Sequence, residues 1–133
     1  MEITSSSRTD GRVVVTVFHL NGNLDVDSHD QLEQMVRKAY VEGTRYVVLD
    51  LAAVRYLSSA GLGGIHAVFH LLRTGDATEN DSQIKKGVRE GVFKSKHIKL
   101  AAPAKNVRDV LAMAGYDMFM EIYPTIDEAI ASF

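Results

Sequence analysis

No cysteine occurs in the 133 residues. That excludes a disulfide framework, a thiol nucleophile and a Cys-ligated zinc site. An excess of charge of one sign is also lacking: 15 Lys and Arg face 17 Asp and Glu, for a formal net charge of −2 and a pI near 6.2. Such a balance argues against generic nucleic-acid binding, which draws on a basic surface. Apolar runs such as 13–15 and 67–69 fall far short of the roughly 20 residues that a membrane-spanning helix needs. The first residues, Met1-Glu2-Ile3-Thr4-Ser5, carry neither a basic region nor an apolar signal core, so the expected compartment is the cytoplasm. What is present is ordinary: hydrophobic residues make up 46% and charged ones 24%. That supplies a real core, and the length is that of one domain.

The hydrophobic pattern alternates between strand-like and helix-like stretches. Residues 2–9 are polar and β-branched enough for a short edge strand. Residues 12–20 (RVVVTVFHL) are apolar on both pleat faces, as a buried central strand requires. Asn21-Gly22-Asn23 reads as a turn. A helix fits 28–41: Ser28 and Gln31 have capping-box spacing, and Leu32, Met35, Val36, Ala39 and Tyr40 make one apolar stripe. Residues 46–51 (YVVLDL) are a second buried strand, with 52–57 leading out of it. Ser58 or Ser59 can cap a second helix reaching about residue 74, with Leu62, Ile65, Val68, Phe69 and Leu72 inward.

From 75 to 96 the pattern fails, and the stretch reads as a mobile surface insertion rich in Lys and Arg. A strand at 97–102, a helix at 104–114 with Val107, Val110, Leu111 and Ala114 inward, a strand at 118–123 and a terminal helix opened by Pro124-Thr125 complete the chain. The order predicts an α/β fold, a mixed sheet of four to five strands packed with about four helices, in a single domain spanning 1–133.

The segment 47–64 (VVLDLAAVRYLSSAGLGG) carries the most information. A buried strand delivers the chain into a Ser-Ser pair at the start of a helix with glycines at 61, 63 and 64. Each glycine lowers helix propensity by about 1 kcal/mol, which suggests close packing or a special backbone need there. Unpaired amides at the helix start carry partial positive charge, and a phosphate placed on a hydroxyl there is stabilised locally.

These residues resemble a known family. Tyr56-Leu57-Ser58-Ser59-Ala60-Gly61-Leu62-Gly63, with Asp50-Leu51 before it, is similar to the signature of STAS domains, specifically bacterial anti-sigma factor antagonists. Leu20-Asn21-Gly22-Asn23-Leu24-Asp25 matches a second motif, and the 102–115 segment more weakly a third. The resemblance covers nearly the whole chain apart from 75–96. It implies a phosphorylation switch: the unmodified antagonist binds an anti-sigma factor with a histidine-kinase-like ATPase fold and frees a sigma factor. That kinase phosphorylates a serine at the start of the second helix, and a PP2C-type phosphatase reverses the modification.

By motif position the acceptor is Ser59. Asp25, Ser58, Ala60, Gly61, Leu62 and Gly63 are the implied partner-binding surface. Ser58 stands where the family often carries Asp, and Ala60 where it often carries Ser or Thr, so Ser58 is the second choice of acceptor. The family implies binding rather than catalysis, and no cofactor. Its other members include non-phosphorylated scaffolds of stress-signalling assemblies and soluble subunits of lipid-transport ABC complexes.

Rival chemistries lack parts. Gly61-Leu62-Gly63-Gly64 has no Lys-Ser/Thr to complete a P-loop. His66 and His70 have metal-chelating spacing but no third ligand, and read as a helix-face pair. Residues 57–61 (LSSAG) are not a Gly-x-Ser-x-Gly nucleophile elbow. His29 and Asp30 read as solvated, as do the basic residues between 85 and 99.

Overall fold

The first hairpin follows from the alternation of its second arm. In the computed structural model, which describes residues 1–11, 13–74, 76 and 94–133, β1 (Glu2–Asp10) pairs antiparallel with β2 (Val13–Leu24). Phe18 and Leu20 point to one face of the sheet and Val15 and Val17 to the other, and all four are buried. Burial of both faces explains why apolar residues fall on both pleat faces here. Helix α1 (His29–Val41) then crosses over to β3 (Val47–Leu57), parallel to β2, and α2 (Ser59–Arg73) follows. After it come β4 (Ile98–Ala101), α3 (Lys105–Met113), a 3-10 turn (Tyr116–Met118), β5 (Glu121–Tyr123) and α4 (Ile126–Ala131). Strand order is β1-β2-β3-β4-β5, with only the first pair antiparallel. This is the expected mixed sheet, with four α-helices among the described residues.

Two cores result, one on each face. Leu32 and Val36 of α1, Ile65, Val68, Phe69 and Leu72 of α2, and Val107 and Leu111 of α3 pack on Phe18, Leu20, Leu49 and Leu100. On the other face Ala129 and Ile130 of α4 cover Val15, Val17, Val48 and Ala101. The charged member of β4, Lys99, is only 4% exposed. Its Nζ donates to Glu121 Oε1 at 3.0 Å and lies 5.0 Å from the centre of the Phe133 ring. Burial works against the Glu121 carboxylate, but hydrogen bonds from Tyr123 and Lys99 and the Lys99 charge hold it below its ordinary range.

Several expectations are corrected. The turn expected at 21–23 is strand: β2 runs on to Leu24 because β3 also runs on, to Leu57, and their tails pair through register shifts. Ser28 does not cap α1 with its side chain. Ala114 is exposed, and the last strand begins at Glu121, because Gly115 takes a left-handed φ of 79° and starts the 3-10 turn. Lys99 is buried in the sheet, whereas Lys94 reaches the Asp117 carbonyl and Lys96 pairs with Asp76 at 3.2 Å. Of the insertion expected at 75–96, residues 75 and 77–93 lie outside the described residues. Its edges are joined: Asp76 Oδ2 lies 2.7 Å from His97 Nε2, and the buried His97 ring stacks on Tyr46 and donates from Nδ1 to the Arg45 carbonyl at 2.9 Å.

Candidate functional site

Helix α2 begins directly against the end of β2. The Ser58 N–H donates to the Leu24 carbonyl at 3.0 Å, which fixes the strand-to-helix corner. Ser58 is the N-cap, with extended backbone (φ −93°, ψ 175°), and its Oγ accepts from the Gly61 N–H at 3.1 Å. A Cβ on Gly61 would sit 2.1 Å from the same Leu24 carbonyl oxygen, and one on Gly64 would sit 3.0 Å from His29 Cβ. Two of the three glycines therefore answer to close packing against β2 and α1. Gly63 differs: among the described residues nothing lies within 4 Å of its missing side chain.

The two serines have different circumstances. Ser58 is half-buried and spends its oxygen on the helix. Ser59, the first helical residue, is exposed, and its hydroxyl has no hydrogen-bond partner among the described residues. Nor do the Ser59 and Ala60 N–H groups have a backbone partner there. The first turn of α2 holds no acidic residue, so its positive end is unneutralised by its own side chains. Of the remaining expected residues, Gly61 is buried, Ala60 and Leu62 are half-buried and Gly63 is exposed. The Leu62 carbonyl accepts from the Tyr116 hydroxyl at 2.8 Å, which braces the turn from behind.

Asp25 heads a tight loop beside this corner. Its carbonyl accepts from the N–H groups of Ser28 (3.2 Å) and His29 (2.9 Å), and its Oδ1 accepts from the Asp27 N–H at 3.0 Å. The buried Ser28 hydroxyl accepts from the Asp25 N–H at 3.0 Å and donates to the Asn23 carbonyl at 2.6 Å. That double duty is why Ser28 is not available to α1. Val26 at the loop tip is 70% exposed, and Tyr56, beside the corner on β3, is 55% exposed. Tyr56 opens the motif that carries the family resemblance, but neither it nor Val26 was among the expected partner-binding residues.

His29 is not a solvated histidine. Its side chain is 27% exposed and its Nδ1 lies 2.6 Å from Glu33 Oε2. The hydrogen bond to Glu33 raises its pKa above the ordinary 6.5 against a smaller opposing effect of burial, with the charges of Asp30, Glu33 and Asp25 adding to the rise. His29, Asp30 and Glu33 bring ligand-type atoms within 4.8 Å of one another, all from one helix face. His66 and His70 form a T-shaped pair, with ring centres 4.3 Å apart, and the His66 ring also meets Tyr116 and Phe119. Burial and the nearby Arg73 charge lower the His66 pKa. Among the described residues no third ligand joins that pair.

Comparison with known proteins supplies a context for this corner. A family model, the STAS domain, matches residues 6–78. Among solved structures, one from Thermotoga maritima, assigned as an anti-sigma factor antagonist, superposes with a TM-score of 0.73 at 21% identity, covering 98% of this chain and 92% of its own. An anti-sigma factor antagonist from Mycobacterium paratuberculosis gives a TM-score of 0.69 at 22% identity, covering 98% of this chain and 93% of its own. The Bacillus cell fate determinant SpoIIAA in its phosphorylated form gives 0.61 at 18% identity, covering 97% of this chain and 98% of its own. Among curated proteins none matches the sequence.

Proposed function

The chain belongs to the STAS domain family, and from that premise we propose that it is an anti-sigma factor antagonist switched by phosphorylation of Ser59. Its partner is an anti-sigma factor with a histidine-kinase-like ATPase fold. Binding the unmodified chain takes that factor off its sigma factor; phosphoryl transfer to Ser59 ends the binding, and a PP2C-type phosphatase resets it. The observation that carries the reading is the division of labour at the corner. Ser58 is committed to the Gly61 N–H, whereas Ser59 is exposed and, among the described residues, unpartnered at a helix start with open amides.

The physics of such a switch needs no refolding. A phosphate adds about −1.5 to −2 charges at neutral pH, and at a helix N-terminus that charge is tolerated by the fold. Inside a docked interface the same charge is desolvated without a partner, at a cost of several kcal/mol. Each ~1.4 kcal/mol is tenfold in affinity, so release follows from one modification. Val26 and Tyr56 offer apolar anchors beside the acceptor, and Gly63 leaves the adjacent helix surface flat.

Wild-type, Ser59→Ala and Ser59→Asp chains serve as baits in host lysate, with captured proteins identified by mass spectrometry. An ATPase-fold anti-sigma factor should be held by the first two and lost from the third by at least about tenfold. Equal capture by all three refutes the switch, and capture of a transporter ATPase or a large STAS assembly refutes the partner.

A further inference from the structure

The open rung of the sheet, on the face that α4 only partly covers, carries a second chemistry. Register places Thr4 opposite His19, Ser6 opposite Val17, and His19 opposite Asp50. Ser6 and His19 therefore share the face of Val17, and α4 reaches Val15, Val17, Val48 and Ala101 but is not packed on the next rung. There Asp50 Oδ2 lies 2.7 Å from His19 Nδ1, and His19 Nε2 lies 3.1 Å from Ser6 Oγ. The carboxylate is itself positioned. A register irregularity after Asp50 leaves the Ala52 N–H to donate to Asp50 Oδ1 at 3.1 Å.

From this geometry we infer that Ser6, His19 and Asp50 form a nucleophile, base and orienting acid, with Ser6 as an acylation site for small activated carboxylic esters. With Nδ1–H donating to Asp50, the neutral ring presents its Nε2 lone pair to the Ser6 hydroxyl. That is the connectivity of a Ser-His-Asp triad, which is recognised by geometry and not by chain position. Asp50 is 15% exposed, so its charge is partly desolvated and holds the ring firmly, while His19 is 38% exposed and Ser6 is exposed, so an ester can reach them.

In the step, Ser6 Oγ bonds to the acyl carbon and its proton passes to His19 Nε2. The ester C–O bond breaks, and the leaving oxygen takes the proton from His19. The products are O-acyl-Ser6 and one alcohol, with no other reactant consumed. The site stands on an exposed face, and among the described residues none covers the hydroxyl to exclude water, so the expected outcome is a single acylation and not rapid turnover.

The test treats the full chain with p-nitrophenyl acetate and times acetylation of each residue by peptide mass spectrometry. Ser5 and Ser7 are internal controls, since they line a groove with Phe18, on the opposite face. The expected result is acetyl on Ser6 ahead of both, slowed about a hundredfold by His19→Ala and partly restored by added imidazole. Asp50→Asn slows it too, through the wrong ring tautomer, with the circular dichroism spectrum unchanged. Ser6 left unmodified, Ser5, Ser6 and Ser7 acetylated alike, or a Ser6 rate indifferent to His19→Ala each overturns the assignment.

Discussion

Replacing Ser58 and Ser59 one at a time by alanine should give opposite results in stability and in phosphate acceptance. The Ser58 oxygen is the side-chain cap of α2, accepting from Gly61 N–H at 3.1 Å. Losing such a cap costs about 1 kcal/mol, within a range of roughly 0.5–2. The helix it caps starts weakly, because glycines at 61, 63 and 64 each cost about 1 kcal/mol relative to alanine, so the upper half of that range applies. For a domain of this size, 1 kcal/mol moves the melting temperature by roughly 3–5 °C. Ser58→Asp should recover most of the loss, since Asp caps equally well and favours the positive helix end. Ser59→Ala removes an exposed hydroxyl without a partner among the described residues, and should stay within about 0.5 kcal/mol of the parent. The assay is thermal unfolding followed by far-UV circular dichroism on the four chains. Phosphate incorporation by the cognate kinase should vanish in Ser59→Ala and survive in Ser58→Ala. If Ser59→Ala melts as low as Ser58→Ala, or Ser58→Ala melts with the parent, the division of labour between the serines is wrong.

Two further outcomes follow from the same corner. Gly61→Ala forces a Cβ to within 2.1 Å of the Leu24 carbonyl oxygen, so α2 must shift off β2 at a cost of about 3 kcal/mol or more; Gly63→Ala meets nothing and should stabilise by about 0.5–1 kcal/mol. Urea denaturation of both variants checks this, and equal midpoints would refute the packing argument. His29 should titrate above 6.5 by NMR, and Glu33→Gln should bring it down, since the Glu33 hydrogen bond is the main cause of the rise. The sign is that of a raised pKa: the pair's contribution is fully present below the unfolded value of about 6.5 and is lost as pH rises through the folded one.

Much of the fold was legible because its central strands are buried on both faces. The runs at 12–20 and 46–51 are mostly Val, Leu and aromatic residues on both pleat faces, which is the pattern of a core strand. Their tails were not legible: Asn21-Gly22-Asn23 looks like a turn locally, and it is strand only because the β3 tail lies alongside. The capping box at Ser28 and Gln31 failed for a related reason. Satisfying the backbone of the Asp25 loop outweighed satisfying the helix, and the buried Ser28 side chain is held there by packing. At the site, motif position singled out Ser59, but spacing alone left both serines open; the hydrogen bond from Gly61 to Ser58 separates their roles. The His29–Glu33 pair was missed, because a histidine near a helix start reads as solvated, although the i, i+4 spacing that joins the two was present. The Ser6–His19–Asp50 array was not legible either, since its members come from three strands and meet only through register.

The bond between Asp76 and His97 has a consequence for how this chain can vary. It ties the two ends of the stretch 77–93 to each other, and the buried His97 ring is anchored in turn to Tyr46 and the Arg45 carbonyl. The sheet therefore meets that stretch at a closed gate, whatever runs between the posts. Loop-closure entropy grows only as the logarithm of length, about 0.6 kcal/mol for each doubling. A change in the number of residues between those posts therefore carries only a small closure cost. The tie thus fixes where the chain departs from the end of α2 and where it rejoins the sheet at β4.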